Sequence, residues 1–148
     1  MITAGFRETG GEGAAVEGRM LAVARRHGMR LVGPNCMGVQ NAELGVRLNA
    51  SFSRSFPQPG PVAFVSQSGA MGEAILAHAD HIHLGVSMFV SMGNRADVSA
   101  NDLLEYWDRV PGLACILLYL ESFGNPRNFV PTARRVSRTK ASLYSSRP

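Results

Sequence analysis

The stretch that decides the fold class is "AFVSQSGAMGEAIL", residues 63–76. It opens with a short apolar run, turns polar at Ser66-Gln67-Ser68-Gly69, and continues with a pattern of helical spacing. An apolar run of this length is typical of a strand that is buried on both faces, as in parallel sheets covered by helices. The stretch therefore predicts one strand–turn–helix step of a parallel α/β sheet.

The same alternation continues toward the carboxyl terminus. We predict three strands and three helices there: strands over residues 61–66, 85–91 and 113–121, and helices over residues 69–81, 99–109 and from 125 onward. Ser99 with Asp102 three positions later predicts a capping box, and Asn125-Pro126 predicts a helix start. The alternation predicts a parallel sheet with right-handed crossovers.

The two ends of the chain are less regular. We predict a helix over residues 12–27 and a short strand over residues 30–32, followed by an irregular connector over residues 36–60. A fourth apolar strand should follow Lys140, but "ASLYSSRP" is polar and rich in serine. We therefore expect a truncated or frame-shifted tail in place of that strand, in a chain that is the middle of something larger.

Composition and charge narrow the class of protein. The chain has 148 residues, of which 45% are hydrophobic and 18% charged, as in soluble globular proteins. No apolar run approaches the roughly 18 residues of a membrane span, and the first residues lack a signal-peptide pattern, so we expect a cytoplasmic protein that binds no membrane. The net charge is +4, but Arg25-Arg26 and Arg134-Arg135 lie on predicted helices without interleaved aromatic residues. We therefore predict solvated helix faces and no nucleic-acid partner.

Three turns are expected to meet at one edge of the sheet, because parallel strands deliver their carboxyl ends to the same edge. These turns are residues 66–69, 91–94 and 121–124. In the first turn, Ser66, Ser68 and Gly69 precede the free N–H groups of a helix start, which predicts a cradle for phosphate or carboxylate. The alternative is that Ser68 only caps the helix and Gly69 only relieves crowding.

Other polar residues leave more than one interpretation open. Glu121 ends a long apolar strand, so it is expected to be partly desolvated and to orient a basic partner, or else to be an ordinary acid that reaches solvent. Asn94 and Asp97 either bind a ligand or form a turn and a cap. Asn35 could donate to a ligand carbonyl, and Cys36 lacks the histidine partner that a catalytic thiol needs.

The histidines do not predict a metal centre. His78 and His81 lie one helical turn apart, and His83 follows them. No carboxylate or thiol at ligand spacing completes a site. We expect these histidines to be favoured by the dipole at a helix carboxyl terminus, and we predict no metal site.

Four segments carry a resemblance to a known family: "RLVGPNCMGV", "VAFVSQSGAMGEAIL", "SMGNRADVSANDLLEY" and "ILLYLESFGNPRNF". In this order they resemble the α-type portion of NDP-forming acyl-CoA synthetases, a group that includes the succinyl-CoA synthetase α subunit and forms fused to a GNAT acetyltransferase. The reaction implied by the resemblance is carboxylic acid + CoA + ATP ⇌ acyl-CoA + ADP + phosphate, through an acyl phosphate and a phosphohistidine.

The resemblance also implies roles for individual residues. Asn35, Cys36 and Asn94 would lie near the CoA thiol and acyl group. Ser66, Gln67, Ser68 and Gly69 would hold the phosphate or the phosphohistidine, and Glu121 would orient the active-site histidine. CoA is implied as a substrate, while ATP or ADP and Mg²⁺ are implied only for the complete enzyme, with a complementary ATP-grasp chain or domain.

The departures from the family pattern predict an incomplete catalyst. None of the four histidines stands in the glycine-flanked loop of the family, and the nucleotide-binding strands and ATP-grasp portion have no counterpart. We expect residues 1–56 to be the remainder of a Rossmann-like CoA-binding domain and residues 57–148 a truncated flavodoxin-like domain, inactive alone. The alternatives are a non-catalytic CoA- or phosphate-binding regulatory module of a protein acetyltransferase, and a gene remnant.

Overall fold

The stretch over residues 63–76 forms the predicted strand and helix in the computed structural model, which describes residues 1–123 and 125–146. The elements in chain order are a 3-10 helix Phe6–Thr9, α1 Gly11–Arg26, β1 Gly38–Asn41, β2 Leu48–Ser51, β3 Val62–Ser66, α2 Gly69–His81, β4 Val86–Ser91, α3 Ala100–Asp108, β5 Cys115–Leu120, α4 Pro126–Val136 and β6 Ala141–Ser146. In the part of the chain so described, no helix is long and apolar enough to cross a membrane.

The strands form one six-stranded sheet in the order β2-β1-β4-β3-β5-β6. The four strands β4, β3, β5 and β6 are mutually parallel, whereas β1 runs antiparallel to both β2 and β4. The predicted α/β class is therefore confirmed, with a mixed sheet rather than a purely parallel one.

The core lies on both faces of β3, which is the central buried strand. Ala63 and Val65 pack on one face with α3 and α4, and Val62 and Phe64 pack on the other face with α2. Alternate residues of a strand point to opposite faces, so a strand buried on both faces has to be apolar at consecutive positions. This explains why the first stretch of sequence reads as an unbroken apolar run.

The predicted helix starts are confirmed where a side chain supplies the cap. Ser68 accepts a hydrogen bond from Met71 N at the start of α2, and Asn125 accepts one from Arg127 N at the start of α4. At α3, the backbone N–H of Ser99 donates to the Asp102 carboxylate over 3.0 Å, as a capping box requires.

Two predictions for the amino-terminal part are wrong. Residues 36–60 are not irregular throughout, because β1 and β2 form an antiparallel pair and β1 pairs with β4. These strands are short and contain Gly, Asn and Gln, so they lack the apolar pattern by which a strand is predicted. Ladder hydrogen bonds to neighbouring strands hold them in place. Residues 30–32 form no strand, and the backbone N–H of Leu31 donates instead to the Asp97 side chain.

The polar tail does form a strand, contrary to the sequence-based expectation. β6 pairs with β5 in parallel register from Cys115 opposite Ala141 to Leu120 opposite Ser146. The backbone ladder supplies this pairing, and a strand at the edge of a sheet tolerates polar side chains. The division into units at residue 57 stays a prediction.

Candidate functional site

A cavity of about 550 Å³ opens at the carboxyl ends of β3, β4 and β5. Four segments and two single residues line it: residues 3–8 in part, 35–37, 67–69 and 93–95, with Phe52 and Glu121. All three predicted turns therefore reach one cavity, together with the Asn35-Cys36 pair. This juxtaposition is the one expected for a ligand site in an open α/β sheet.

The first turn combines a helix cap with an open surface. Ser66 is fully buried, and its hydroxyl donates to the Ser68 carbonyl over 2.6 Å, so its proton is used within the turn. Ser68 caps α2, and the N–H groups of Gly69 and Ala70 have no intrahelical partner. A Cβ added at Gly69 would meet no atom within 4 Å. Ser68 therefore caps the helix as one alternative expected, but Gly69 relieves no crowding, and the turn stays open as a cradle requires.

Gln67 joins the first turn to the third. Its side-chain oxygen accepts hydrogen bonds from the backbone N–H groups of Glu121, at 3.0 Å, and Ser122, at 3.3 Å. β5 ends at Leu120, and Glu121 is exposed, so of the two interpretations left open the ordinary acid that reaches solvent is the one observed. Gly124 lies outside the described residues.

The second turn is packed against the Asn35 segment. Gly93 has a φ of +52°, and its added Cβ would lie 2.1 Å from the Asn35 carbonyl oxygen. The backbone N–H of Asn94 donates to the Pro34 carbonyl over 2.9 Å. The Asn94 side chain donates to the Gly5 carbonyl and accepts from Asn35 Nδ2 at 3.2 Å. Asn94 therefore lines the cavity and also forms a structural joint.

Cys36 is buried, and its thiol has a backbone partner. The Sγ atom lies 3.3 Å from the Met1 carbonyl oxygen, to which it donates. Cys36 also forms an isolated parallel bridge with Ile2. These contacts fix the thiol at the cavity wall beside Asn35.

Asp97 does not line the cavity, and its side chain instead holds neighbouring segments together. Its carboxylate accepts hydrogen bonds from Leu31 N, from Arg30 Nε at 2.7 Å and from Arg25 Nη2 at 3.2 Å. Burial raises the pKa of Asp97, but the hydrogen bonds from Leu31 N–H and from the two guanidinium groups outweigh it and leave that pKa below its ordinary value. Asp97 thus ties residues 30–31 to the loop that precedes α3.

Comparison with known proteins adds to this geometry. Residues 59–143 match the family described as the succinyl-CoA ligase like flavodoxin domain. The chain belongs to this family. The predicted flavodoxin-like fold is thereby confirmed for the part of the chain that the match covers.

Relatives of this succinyl-CoA ligase-like chain are longer than the chain itself. It is 43% identical over 140 residues to acetate–CoA ligase [ADP-forming] I of Archaeoglobus fulgidus, covering 95% of this chain and 20% of that protein. It is 41% identical to acetate–CoA ligase [ADP-forming] II subunit alpha of Pyrococcus furiosus, covering 95% of this chain and 30% of that protein. The resemblance found from the sequence motifs is confirmed.

A solved structure has the same fold. It is the dinucleotide forming acetyl-coenzyme A synthetase 1 of Ca. Korarchaeum cryptofilum in complex with phosphate and ADP, with a TM-score of 0.91 and 38% identity. The match covers 99% of this chain and 31% of that one. The six-stranded sheet described above is therefore shared with a much longer protein.

Two arginines of this succinyl-CoA ligase-like chain were not predicted as site residues. Arg95 and Arg7 both line the cavity. The Arg95 guanidinium donates to the Ser122 backbone carbonyl and, over 2.8 Å, to the Ser122 hydroxyl. Burial, and next the charge of Arg7, lower the pKa of Arg95, while Glu121 opposes this. The only signal in the sequence was the place of Arg95, directly after the second turn.

The histidines bring no metal ligands together. Within residues 1–123 and 125–146, no three His, Cys, Asp or Glu side chains are grouped so that they could hold a metal ion. His78 and His81 lie in the last turn of α2, where a partial negative charge favours a basic side chain.

Proposed function

We propose that this chain supplies the phosphate-binding and acyl/CoA-thiol-binding surface of an ADP-forming acyl-CoA synthetase. The reaction is carboxylic acid + CoA + ATP ⇌ acyl-CoA + ADP + phosphate. The names of the relatives from Archaeoglobus fulgidus and Pyrococcus furiosus support this reaction class. The chain spans 20% and 30% of those two proteins, so the proposal assigns it one part of the reaction surface.

The observation that carries the proposal is the shared cavity. The Ser68-Gly69 turn, the Asn35-Cys36 pair and Glu121 line the same cavity of about 550 Å³. An acyl phosphate and a thiol have to meet at one point for acyl transfer, and a single cavity at the sheet edge allows that. The related synthetase of Ca. Korarchaeum cryptofilum was solved in complex with phosphate and ADP, which supports phosphate as a ligand of this class of protein.

Each part of the cavity has a proposed role. The free N–H groups at the start of α2 and the Ser68 hydroxyl bind the phosphate, helped by the positive end of the helix dipole. Ser66 and Gln67 hold that turn in place, and Gly69 keeps it open. Arg95 adds positive charge to the same cavity, which favours an anion.

The second half of the reaction surface is proposed at other residues that line the same cavity. Asn35, Cys36 and Asn94 receive the CoA thiol and acyl group. The carboxylate of Glu121 is exposed and accepts no hydrogen bond from a residue that the structure describes, so we propose that it orients the histidine that carries the phosphoryl group. ATP or ADP and Mg²⁺ belong to a complementary ATP-grasp chain or domain, which the words "subunit alpha" in the Pyrococcus furiosus name support. The proposed location is the cytoplasm.

The test is phosphate binding by the chain and by Ser68→Asp, measured by titration calorimetry. Aspartate is as good a helix cap as serine, so the free energy of unfolding should change by less than about 1 kcal/mol. Its negative charge would lie beside the bound phosphate, so the affinity should fall at least about tenfold, which is about 1.4 kcal/mol.

Asn125→Asp is the matched control, because it adds the same charge at the cap of α4, outside the cavity lining. It should leave phosphate binding within about twofold of the original chain. If Ser68→Asp binds phosphate as tightly as the original chain does, the cradle is not at this turn and the proposal fails.

A further inference from the structure

Glu17 is a buried carboxylate in the middle of α1, and it contacts two residues that line the cavity. The whole residue is 1% exposed, although it belongs to a helix whose other acidic residue, Glu12, is exposed. Taking a carboxylate out of water costs free energy unless it is paired and hydrogen-bonded. A residue buried at that cost is held by specific partners.

The partners of Glu17 come from two segments that also line the cavity. Its Oε2 accepts from Asn94 Nδ2 at 2.9 Å and from the Arg7 backbone N–H at 3.3 Å. Its Oε1 lies 2.8 Å from Nη2 of Arg7 as an ion pair, without the alignment of a hydrogen bond. Glu17 therefore joins the second turn to the 3-10 helix at the amino terminus.

The carboxylate determines which way the Asn94 amide faces. An ionised carboxylate only accepts hydrogen bonds, so the Asn94 nitrogen has to point toward Glu17. The same nitrogen also donates to the Gly5 carbonyl over 3.0 Å. With both N–H bonds used on that side, the Asn94 oxygen faces Asn35 and accepts from Asn35 Nδ2 at 3.2 Å.

The orientation of Asn35 follows from that of Asn94. Since Asn35 Nδ2 donates to Asn94, its carbonyl oxygen is turned away from Asn94, and no described residue donates to it. The backbone of Asn35 is fixed as well, with a φ of +54° and a hydrogen bond from its N–H to Thr3 Oγ1 at 3.2 Å. Asn35 is one of the residues that line the cavity.

We propose that Glu17 is a positioning residue that fixes the amide of Asn35 through Asn94, so that the Asn35 carbonyl oxygen accepts a hydrogen bond from the ligand. The ligand group is a donor, a thiol S–H or an amide N–H. This extends the proposed function, on which it rests for the identity of the ligand, and it reverses the sequence-based expectation that Asn35 donates to a ligand carbonyl.

The first measurement needs no ligand. In side-chain NMR spectra of the chain with ¹³C,¹⁵N-labelled asparagine, Glu17→Gln should move the Nδ2 signals of Asn94 and, through it, of Asn35, because a charged acceptor becomes neutral. Glu12→Gln on the exposed face of α1 is the matched control and should move neither signal. Unchanged Asn35 signals in Glu17→Gln would overturn the relay.

The second measurement uses coenzyme A as the probe. Coenzyme A should shift the ¹³Cγ signal of Asn35 in the original chain, since a hydrogen bond to a carbonyl oxygen changes the shielding of its carbon. In Glu17→Ala the affinity for coenzyme A should fall about tenfold, as for the loss of one oriented hydrogen bond, with phosphate affinity within about twofold. Glu17→Gln, which keeps an acceptor for Asn94, should recover most of the affinity.

The outcomes separate the inference from the proposed function. No ¹³Cγ response of Asn35 to millimolar coenzyme A, or an equal coenzyme A affinity in a folded Glu17→Ala, would overturn the inference. If the original chain does not bind phosphate, the proposed function is contradicted, but the ligand-free NMR result still tests the inference. If Glu17→Ala fails to fold, the Glu17→Gln spectra decide.

Discussion

Two turns at the same sheet edge each contain a glycine, Gly69 and Gly93, and the two glycines have opposite surroundings. A Cβ at Gly69 would meet no atom within 4 Å, whereas a Cβ at Gly93 would lie 2.1 Å from one backbone carbonyl oxygen and 2.3 Å from another. Gly93 also has a φ of +52°, in the left-handed region. One turn is therefore open to a ligand, and the other is closed by the segment that carries Asn35.

The difference shows that glycine has two separate roles in turns at this edge of the sheet. The first turn exposes backbone N–H groups, and its glycine leaves space for a ligand to reach them. The second turn brings two segments together, so its glycine matters for packing. Substitutions at these turns should therefore separate stability from binding.

The largest effect is expected for Gly93→Ala. The added methyl group overlaps the carbonyl oxygens of Pro34 and Asn35, and alanine is strained at this positive φ. The free energy of unfolding should fall by about 3 kcal/mol or more, measured by urea denaturation. A loss of less than about 1 kcal/mol would show that the joint can relax and would remove the contrast between the two turns.

The next largest effect on stability is expected for Asp97→Asn, which weakens the hydrogen bonds that join residues 30–31 to the loop before α3. The Asp97 side chain is 5% exposed and accepts from Leu31 N and two arginines, so we expect a loss of about 2 kcal/mol at pH 7. Because the pKa of Asp97 is lowered in the folded state, its contribution is present above its unfolded pKa and disappears as the pH falls through the folded value.

The measurement is the unfolding free energy of both chains between pH 7 and pH 2. The difference between them should be constant above about pH 4.5 and should shrink at lower pH. Asp80→Asn is the control, because Asp80 is exposed and its carboxylate makes no hydrogen bond with a residue of the described ranges. A difference that grows as the pH falls would contradict the assignment.

The smallest effect on stability is expected for Gly69→Ala. Alanine fits the open space and favours the helix, so the free energy of unfolding should rise slightly, by up to about 1 kcal/mol. Phosphate affinity should nevertheless fall severalfold, because the methyl group lies next to the free N–H groups. Calorimetric titration with phosphate measures this.

Gly18→Ala is the matched control for that substitution. Gly18 lies on the exposed side of α1, and its added Cβ also meets nothing within 4 Å. It should give a similar gain in stability with unchanged phosphate affinity. Equal phosphate affinity in Gly69→Ala would make the first turn a helix cap and nothing more.

Elements specified by neighbouring residues were predictable. The caps at Ser68, Ser99 and Asn125 lie within four residues of the N–H groups they concern, and β3 is marked by its own apolar run. The pair β1 and β2 was missed because its residues are polar or small and because β1 is joined to the sheet by ladder bonds to β4, which is distant in sequence. β6 was missed for the same reason, since its partner β5 supplies the pairing.

The site was predictable to the extent that sheet topology alone places it. Ser68, Gly69 and Glu121 were expected at one edge, and all three line one cavity. Asn35 also lines it, although only the family resemblance had placed it near the site. The burial of Ser66, the exposure of Glu121 and the presence of Arg7 were not visible in the sequence. Each depends on which side chain lies opposite, which local pattern does not record.

The sequence by itself determined the α/β class, the helix starts, the presence of three turns at one sheet edge and the resemblance to a family. These properties follow from periodicity, from caps and from motifs a few residues long. The tertiary structure alone decided that Glu17 is buried against Asn94, that Gly93 closes on Asn35 and that Gly69 stays open. Those contacts join residues that are tens of positions apart, and they exist only because the packed sheet brings their segments together.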